Sequence, residues 1–301
     1  MSVVARLWQA LRNTVRTLWS TVSGRYAVTV IAVWVVVSLI SLVWTPYSLW
    51  QMDGYNVWAM PSAAHWMGTD GTGADVASWL MAGSRTDLVI VLLTVALSAV
   101  IGMCLVALMT LGSTWSSNAT VVAVDALISI PTVLLALVLA VPFGASIAVV
   151  VVACGIGYGL NLARVVRPQA LLVANSGYVE SALSNGASRW RVFAQHIVPN
   201  ILPVASVQLS LSAGTAILAE SGLTYLGIGV PSGIPSWGRS LSLSVRLASV
   251  HPLTALWPGL VVALVVLALN LCGDVLRERS GVHHAGVASR QAASEGGEND
   301  R

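Results

Sequence analysis

The chain has 301 residues, 56% of them hydrophobic and only 9% charged, with a formal net charge of +3. A charged fraction so far below the quarter or so found in soluble domains excludes one and leaves a membrane protein. All 15 basic residues are Arg; without Lys there is neither the P-loop side chain that reaches the β/γ-phosphates nor an amine for Schiff-base chemistry, so ATP hydrolysis would need another chain.

In chain order, Val4, Leu7, Trp8, Leu11, Val15, Leu18, Trp19 and Val22 recur at the spacing of one helix face, while Arg6, Gln9, Asn13 and Arg16 fall elsewhere. That pattern predicts an amphipathic elbow helix over 1–25 along the cytoplasmic leaflet. A signal peptide is the rival reading, but the apolar run that follows is too long and lacks a small-residue cleavage site. An all-α membrane domain over 26–279 comes next. Within it, runs at 26–44, 88–111, 119–141, 145–163, 201–219 and 254–273 reach the roughly 20 residues that an α-helix needs to cross about 30 Å of hydrocarbon. Six transmembrane helices are therefore expected, with outer loops at 45–87 and 220–253 and a cytoplasmic loop at 164–200. Six spans put both termini on one side. Twelve of the 15 arginines lie at the two termini and in the loop after the fourth span, so both termini face the cytoplasm. The tail, 280–301, has no apolar periodicity and reads as disordered.

No catalytic constellation is present. His65, His196, His251, His283 and His284 all fall in loops or the tail, so none can serve as base to a Ser nucleophile within a span. There is no HExxH or other paired His at metal-ligand spacing on a helix, and no catalytic residue, metal or nucleic-acid partner is expected. Cys104, Cys154 and Cys272 each sit inside a span and read as small apolar packing residues. Asp125 is the one charge within a span, and such residues are costly and usually functional. It could relay protons in a secondary transporter. Alternatively, lying near the cytoplasmic end of its span, it could pair with a neighbouring chain or reach water. Pro131 predicts a kink in the same helix.

The stretch 180–200, ESALSNGASRWRVFAQHIVPN, is unusually polar for this chain. Val179, Ala182, Leu183, Trp190, Phe193, Ala194 and Ile197 fall at helical spacing, interrupted by Gly186, which suits the left-handed position that ends a helix. Ser188 offers a hydroxyl to cap a second short helix from Arg189, and Pro199 and Pro203 bracket the entry to the fifth span. The segment reads as helix, Gly corner, short helix, Pro, membrane. It is either an amphipathic connector or, given Trp190 between two arginines, a docking corner.

This segment resembles the cytoplasmic loop of ABC-importer permeases, whose E-A-A, G and I-x-L-P pattern is matched here by Glu180-Ser181-Ala182, Gly186 and His196-Ile197-Val198-Pro199. The H-I-x-P-N ending resembles the dipeptide, oligopeptide and nickel permeases. So do HWMGTDGTGAD (65–75), DALISIP (125–131), AESGLTYLGIG (219–229) with PSWG (235–238), and NLCGDVLR (270–277). Their order is that of the C-type subunit of the permease pair. Ser181, Val198, Trp66 and Ala74 depart from the family pattern.

The resemblance implies a type I ABC-importer permease fold and one of two permease subunits in a prokaryotic plasma membrane. It implies peptides as the default solute, with nickel chelates, haem and other small solutes still open. Partners would be a second homologous permease, an ABC ATPase carrying ATP and Mg, and an extracytoplasmic solute-binding protein; no cofactor is expected in this chain. By the same resemblance Glu180, Ala182, Gly186, Ala187, Ser188, Arg189, Trp190 and Pro199 would form the ATPase-coupling loop, with Ala187 to Trp190 in a cleft of the ATPase. Asp70, Asp75 and Trp237 would dock the binding protein, and Asp125, Pro131 and Glu220 are structural or pathway candidates. A proton-coupled transporter using Asp125 and a non-transporting membrane scaffold are the alternatives.

Overall fold

The computed structural model describes residues 16, 18–245 and 248–296, with side chains up to 278. The predicted elbow over 1–25 falls mostly outside the described residues. At its end Leu18 is buried, and Thr21 caps α1 (Val22–Ile40) by accepting from the Gly24 amide. Asp75 caps α2 (Val76–Leu111) in the same way, accepting from Ser78 N at 2.8 Å. α2 starts well before its predicted span because its first turns are not loop-like: Ala77, Leu80, Ala82 and Gly83 all pack inward.

The third predicted span needs correction. Over 119–141 a single kinked helix was expected, whereas α3 (Thr114–Ile128) and α4 (Thr132–Phe143) meet at 84°. Pro131 has no N–H to continue the ladder, and its ring pushes Ile130 out of the helical region, so α3 ends and α4 starts anew with Pro131 at its N-cap. Among the described residues five other helices are long and apolar enough to cross a membrane; with the bent pair as one span, the count is six.

Beyond α4 come α5 (Ile147–Ala174), α6 (Gly177–Ser184), α7 (Arg189–Val192), a π-helical turn (Phe193–Ile197), α8 (Val198–Tyr225), α9 (Trp237–Val245) and α10 (Pro252–Gly296). The backbone of α10 thus remains helical through most of 280–301, where a disordered tail was expected. Missing apolar periodicity excludes a buried stripe but not a helix, and Ala285, Ala288, Gln291, Ala292 and Ala293 are strong helix formers.

α2 and α5 form the most intimate pair. A Cβ on Gly155 would lie 2.6 Å from Leu97 Cδ2, and one on Gly102 would lie 2.6 Å from Leu162 Cδ2. Lipid offers no hydrophobic drive between helices, so such close backbone approach supplies the packing energy. α8 lies against both helices and against α10, which in turn packs on α1. Four buried clusters result among the described residues. The largest, at the loop 164–200 end, joins Val106, Leu162, Val166, Ile197 and Ile201; a second, toward the opposite end, joins Trp34, Leu80, Ile217, Trp237 and Val265.

Candidate functional site

The loop 164–200 is anchored by apolar side chains and presents polar ones. Val179, Val192, Phe193 and Ile197 are buried among α2, α5 and α8, and Ala182 and Ala187 pack against the same cluster. Glu180, Gly186, Ser188, Arg189 and Trp190 are exposed, as is Pro199. Exposure of Trp190 reaches 65%, its indole resting at 5.5 Å on Phe193. Trp190 is therefore not a core residue: one face rests on buried Phe193 and the rest of the side chain is open.

Each bend has a local cause. α6 ends in a Schellman arrangement, with Ala187 N donating to Ala182 O at 3.0 Å and Gly186 N to Leu183 O at 2.9 Å. Gly186 sits at φ +85° with open space where a Cβ would be, so glycine is required there by backbone conformation and not by crowding. Ser188 Oγ then accepts from Arg191 N at 3.3 Å and caps α7, as its sequence position predicts. Beyond that point, expectation and structure part. Pro199 does not separate the short helix from the fifth span; α7, the π turn and α8 form one continuous rod over 189–225. The Pro199 ring would press on the carbonyl four residues back, and a widened π turn makes room for it without breaking the helix.

The rod is also tied sideways. Arg189 Nη1 donates to Leu111 O at 3.0 Å, satisfying a carbonyl at the end of α2 where positive charge is favoured. Arg189 therefore turns at least one nitrogen toward its own chain. Asp125 finds its partner in-chain as well: Arg164 Nε lies 3.8 Å away, and both side chains are more than half exposed. The corner is thus joined to α2 through Arg189 and packed on α2, α5 and α8 through its buried anchors.

Residues 100–280 match the family model described as the binding-protein-dependent transport system inner membrane component. The chain belongs to that family. It is 39% identical over 227 residues to a probable peptide ABC transporter permease of Sinorhizobium fredii, covering 75% of this chain and 78% of the relative. It is also 34% identical to a glutathione transport system permease of Pectobacterium atrosepticum, covering 72% of each chain. A nickel transport system permease of Escherichia coli is 30% identical, covering 87% of this chain and 94% of the relative. A chain of the MetNI methionine ABC transporter, solved in inward-facing conformations, superposes with a TM-score of 0.53 at 17% identity over 65% of this chain and 94% of that one, a likeness of fold. The protein is thus a multi-pass inner-membrane permease of the ABC-importer class, and its work is transport rather than catalysis.

At the opposite end of the permease, the sequence-derived docking residues turn out to build the fold. Asp75 is buried; besides capping α2 it accepts from Ser78 Oγ and lies 2.9 Å from His65 Nδ1. Trp237 is 1% exposed, its indole N–H donating to Leu80 O at 3.0 Å and its ring 5.5 Å from that of Trp34. Neither side chain can present a docking surface, because a capped helix start and a large indole are more stable buried with their bonds made. Asp70 is half-buried, and its Oδ1 holds its own turn through Thr72 N and Ala74 N. On the same surface the Asn56 side-chain amide and the Tyr55 backbone amide hold the Asp53 carboxyl below the usual carboxylate range.

Glu220, a pathway candidate in the sequence, is 1% exposed; Thr224 Oγ1 donates to it at 2.9 Å and Ser221 Oγ at 3.2 Å. A Cβ on Gly238 would meet its Oε2 at 2.8 Å, so the P-S-W-G turn lies directly on it. Asp87 closes the same junction, accepting from Trp237 N at 2.9 Å. By sequence, Asp87 falls at the end of the outer loop expected over 45–87. Its helical phase with Leu80, Gly83, Ser84, Ile90 and Val91, one inward face of α2, was the signal that could have placed it.

Proposed function

We propose that this permease is one of two homologous membrane subunits of an importer for peptides or a related small solute, driven by a separate ABC ATPase. The observation that carries the reading is the lever: exposed Gly186, Ser188, Arg189 and Trp190 at its tip, buried Val192, Phe193 and Ile197 at its root, and no break from Arg189 through α8. A partner that pulls on this corner moves α8 directly and α2 through Arg189. The partner is an ATPase chain, since the permease has no Lys for a P-loop of its own. Alternating access then follows from rigid-body rocking of the spans, with ATP closure on the cytoplasmic side expressed as opening at the other. The arginine distribution supports a cytoplasmic position for both termini and this loop, with the 45–87 and 220–253 loops outside to receive cargo from a solute-binding protein.

Peptide is the preferred solute because the Sinorhizobium relative is named for peptide, and glutathione, the solute of another, is itself a peptide. The test is purification from the native membrane followed by reconstitution. Co-isolation of an ATPase and a second permease, with ATP-dependent peptide uptake when a binding protein is added, is expected. Uptake by the isolated chain without ATP would overturn the proposal.

A further inference from the structure

At the end of the permease opposite the coupling loop, a cavity of about 520 Å³ lies between the two long loops and the adjoining helix ends; of its lining residues only Asp70 has been given a role above. Its size falls within the roughly 300–1,000 Å³ of small-molecule sites. Trp50, Trp58 and Trp79 supply much of its wall, Leu243 and Ser244 of α9 face them, and Asp70 is the one ionisable side chain among the described lining residues.

Two details separate this cavity from a packing gap. Trp58 is held at φ +58°, the one non-glycine residue in the left-handed region among those described. That conformation persists in a bulky residue only when its surroundings enforce it. Here the indole is stacked on His251 at 4.4 Å and 1° from parallel, with Gly71 beneath it, where a Cβ would lie 2.4 Å from the ring. The second detail is Asp70. Its Oδ1 takes all three donors of the turn, Thr72 N, Thr72 Oγ1 and Ala74 N, at 2.8, 2.7 and 3.0 Å. Oδ2 meets no donor among the described residues and stays available to a ligand.

Indole faces attract cations, and a half-buried carboxylate oxygen makes its strongest hydrogen bond to a charged donor. We infer that this cavity is a binding site for a small molecule carrying a protonated amine on an aromatic or aliphatic body. The amine sits against Asp70 Oδ2 and the body lies against Trp50 and Trp79, while Trp58, stacked on His251 and backed by Gly71, forms a fixed wall. The site is separate from the coupling loop, and its ligand chemistry does not depend on which solute the importer carries.

The test is calorimetric titration of the full-length chain, with its co-purifying subunits, in lipid nanodiscs. The probes are phenylalaninamide, a cation, and N-acetylphenylalaninamide, its neutral counterpart. Saturable binding of the cation, about tenfold tighter than of the neutral probe, is expected for one charge-assisted contact. Asp70→Asn keeps an acceptor oxygen for the turn while removing the charge, and should erase that preference. Leu243→Trp, at a side chain 51% exposed on the cavity rim, should fill the space and abolish binding of both probes. Thermal unfolding of each variant confirms that it is folded. Absence of saturable binding, equal affinity for the two probes, or affinity unchanged in both folded variants overturns the inference.

Discussion

Arg189, on the exposed corner of the 164–200 loop, donates from Nη1 to the carbonyl of Leu111 at the last turn of α2, 78 residues away in sequence and 3.0 Å away in space. Two structures that would otherwise meet only through the apolar cluster beneath them are thereby joined by a charged strut. Removing the strut in Arg189→Ala costs about 1–1.5 kcal/mol, the usual net worth of one hydrogen bond. In the reconstituted importer, ATP hydrolysis should persist while solute carried per ATP falls several-fold. A ratio equal to that of the unaltered importer would deny Arg189 its part in transmission.

Gly186 offers a cleaner perturbation, because nothing stands where its Cβ would go. Gly186→Val should lose about 1–2 kcal/mol through left-handed strain alone. Uptake should fall sharply while the amount of chain inserted in the membrane does not change, and Gly186→Asn, which tolerates that backbone, should keep most of the uptake. Equal uptake by the Val variant and the unaltered chain would contradict this account of the corner.

At the other end, Trp237→Ala removes a fully buried indole and should destabilise by about 3–5 kcal/mol in thermal unfolding. Asp87→Ala leaves the Trp237 amide buried without its acceptor and should cost about 1–3 kcal/mol. The two residues share a junction, so the double variant should cost less than the sum of the singles. Strict additivity would mean that Asp87 does not hold the turn.

The α2–α5 contact predicts a rescue. Gly155→Val alone overpacks against Leu97 and should cost about 1–3 kcal/mol, whereas Leu97→Ala in the same chain makes room and recovers part of it. Unfolding temperatures of the two singles and the double measure the effect; a double variant less stable than either single would contradict the packing.

Much of this fold was legible in the residues. Apolar runs located the spans, Ser188 its cap and Gly186 its corner, because those signals act within a few residues of themselves. What the sequence concealed was long-range. Whether Pro131 kinks or breaks a helix depends on what packs around it, and α3 and α4 separate by 84°. Pro199 marks the entry to the fifth span, as its sequence position predicts, but a π turn joins the short helix to that span without a break. The resemblance implies a docking role for Asp75 and Trp237, and only the packing reveals that the start of α2 and the carbonyl of Leu80 have taken their polar groups. Asp125 was likewise read without its partner, Arg164, which lies on another helix.

The central claim is that the corner at Trp190 meets an ATPase in the cytoplasm. It is tested most directly by placing a single cysteine at position 190, with Cys104, Cys154 and Cys272 replaced by Ala, and applying a short bifunctional thiol crosslinker to native membranes. A covalent product containing an ATP-hydrolysing subunit, whose yield changes when ATP is added, is predicted. A cysteine that yields no such product and is instead labelled from outside by a membrane-impermeant maleimide would contradict both the orientation and the coupling role.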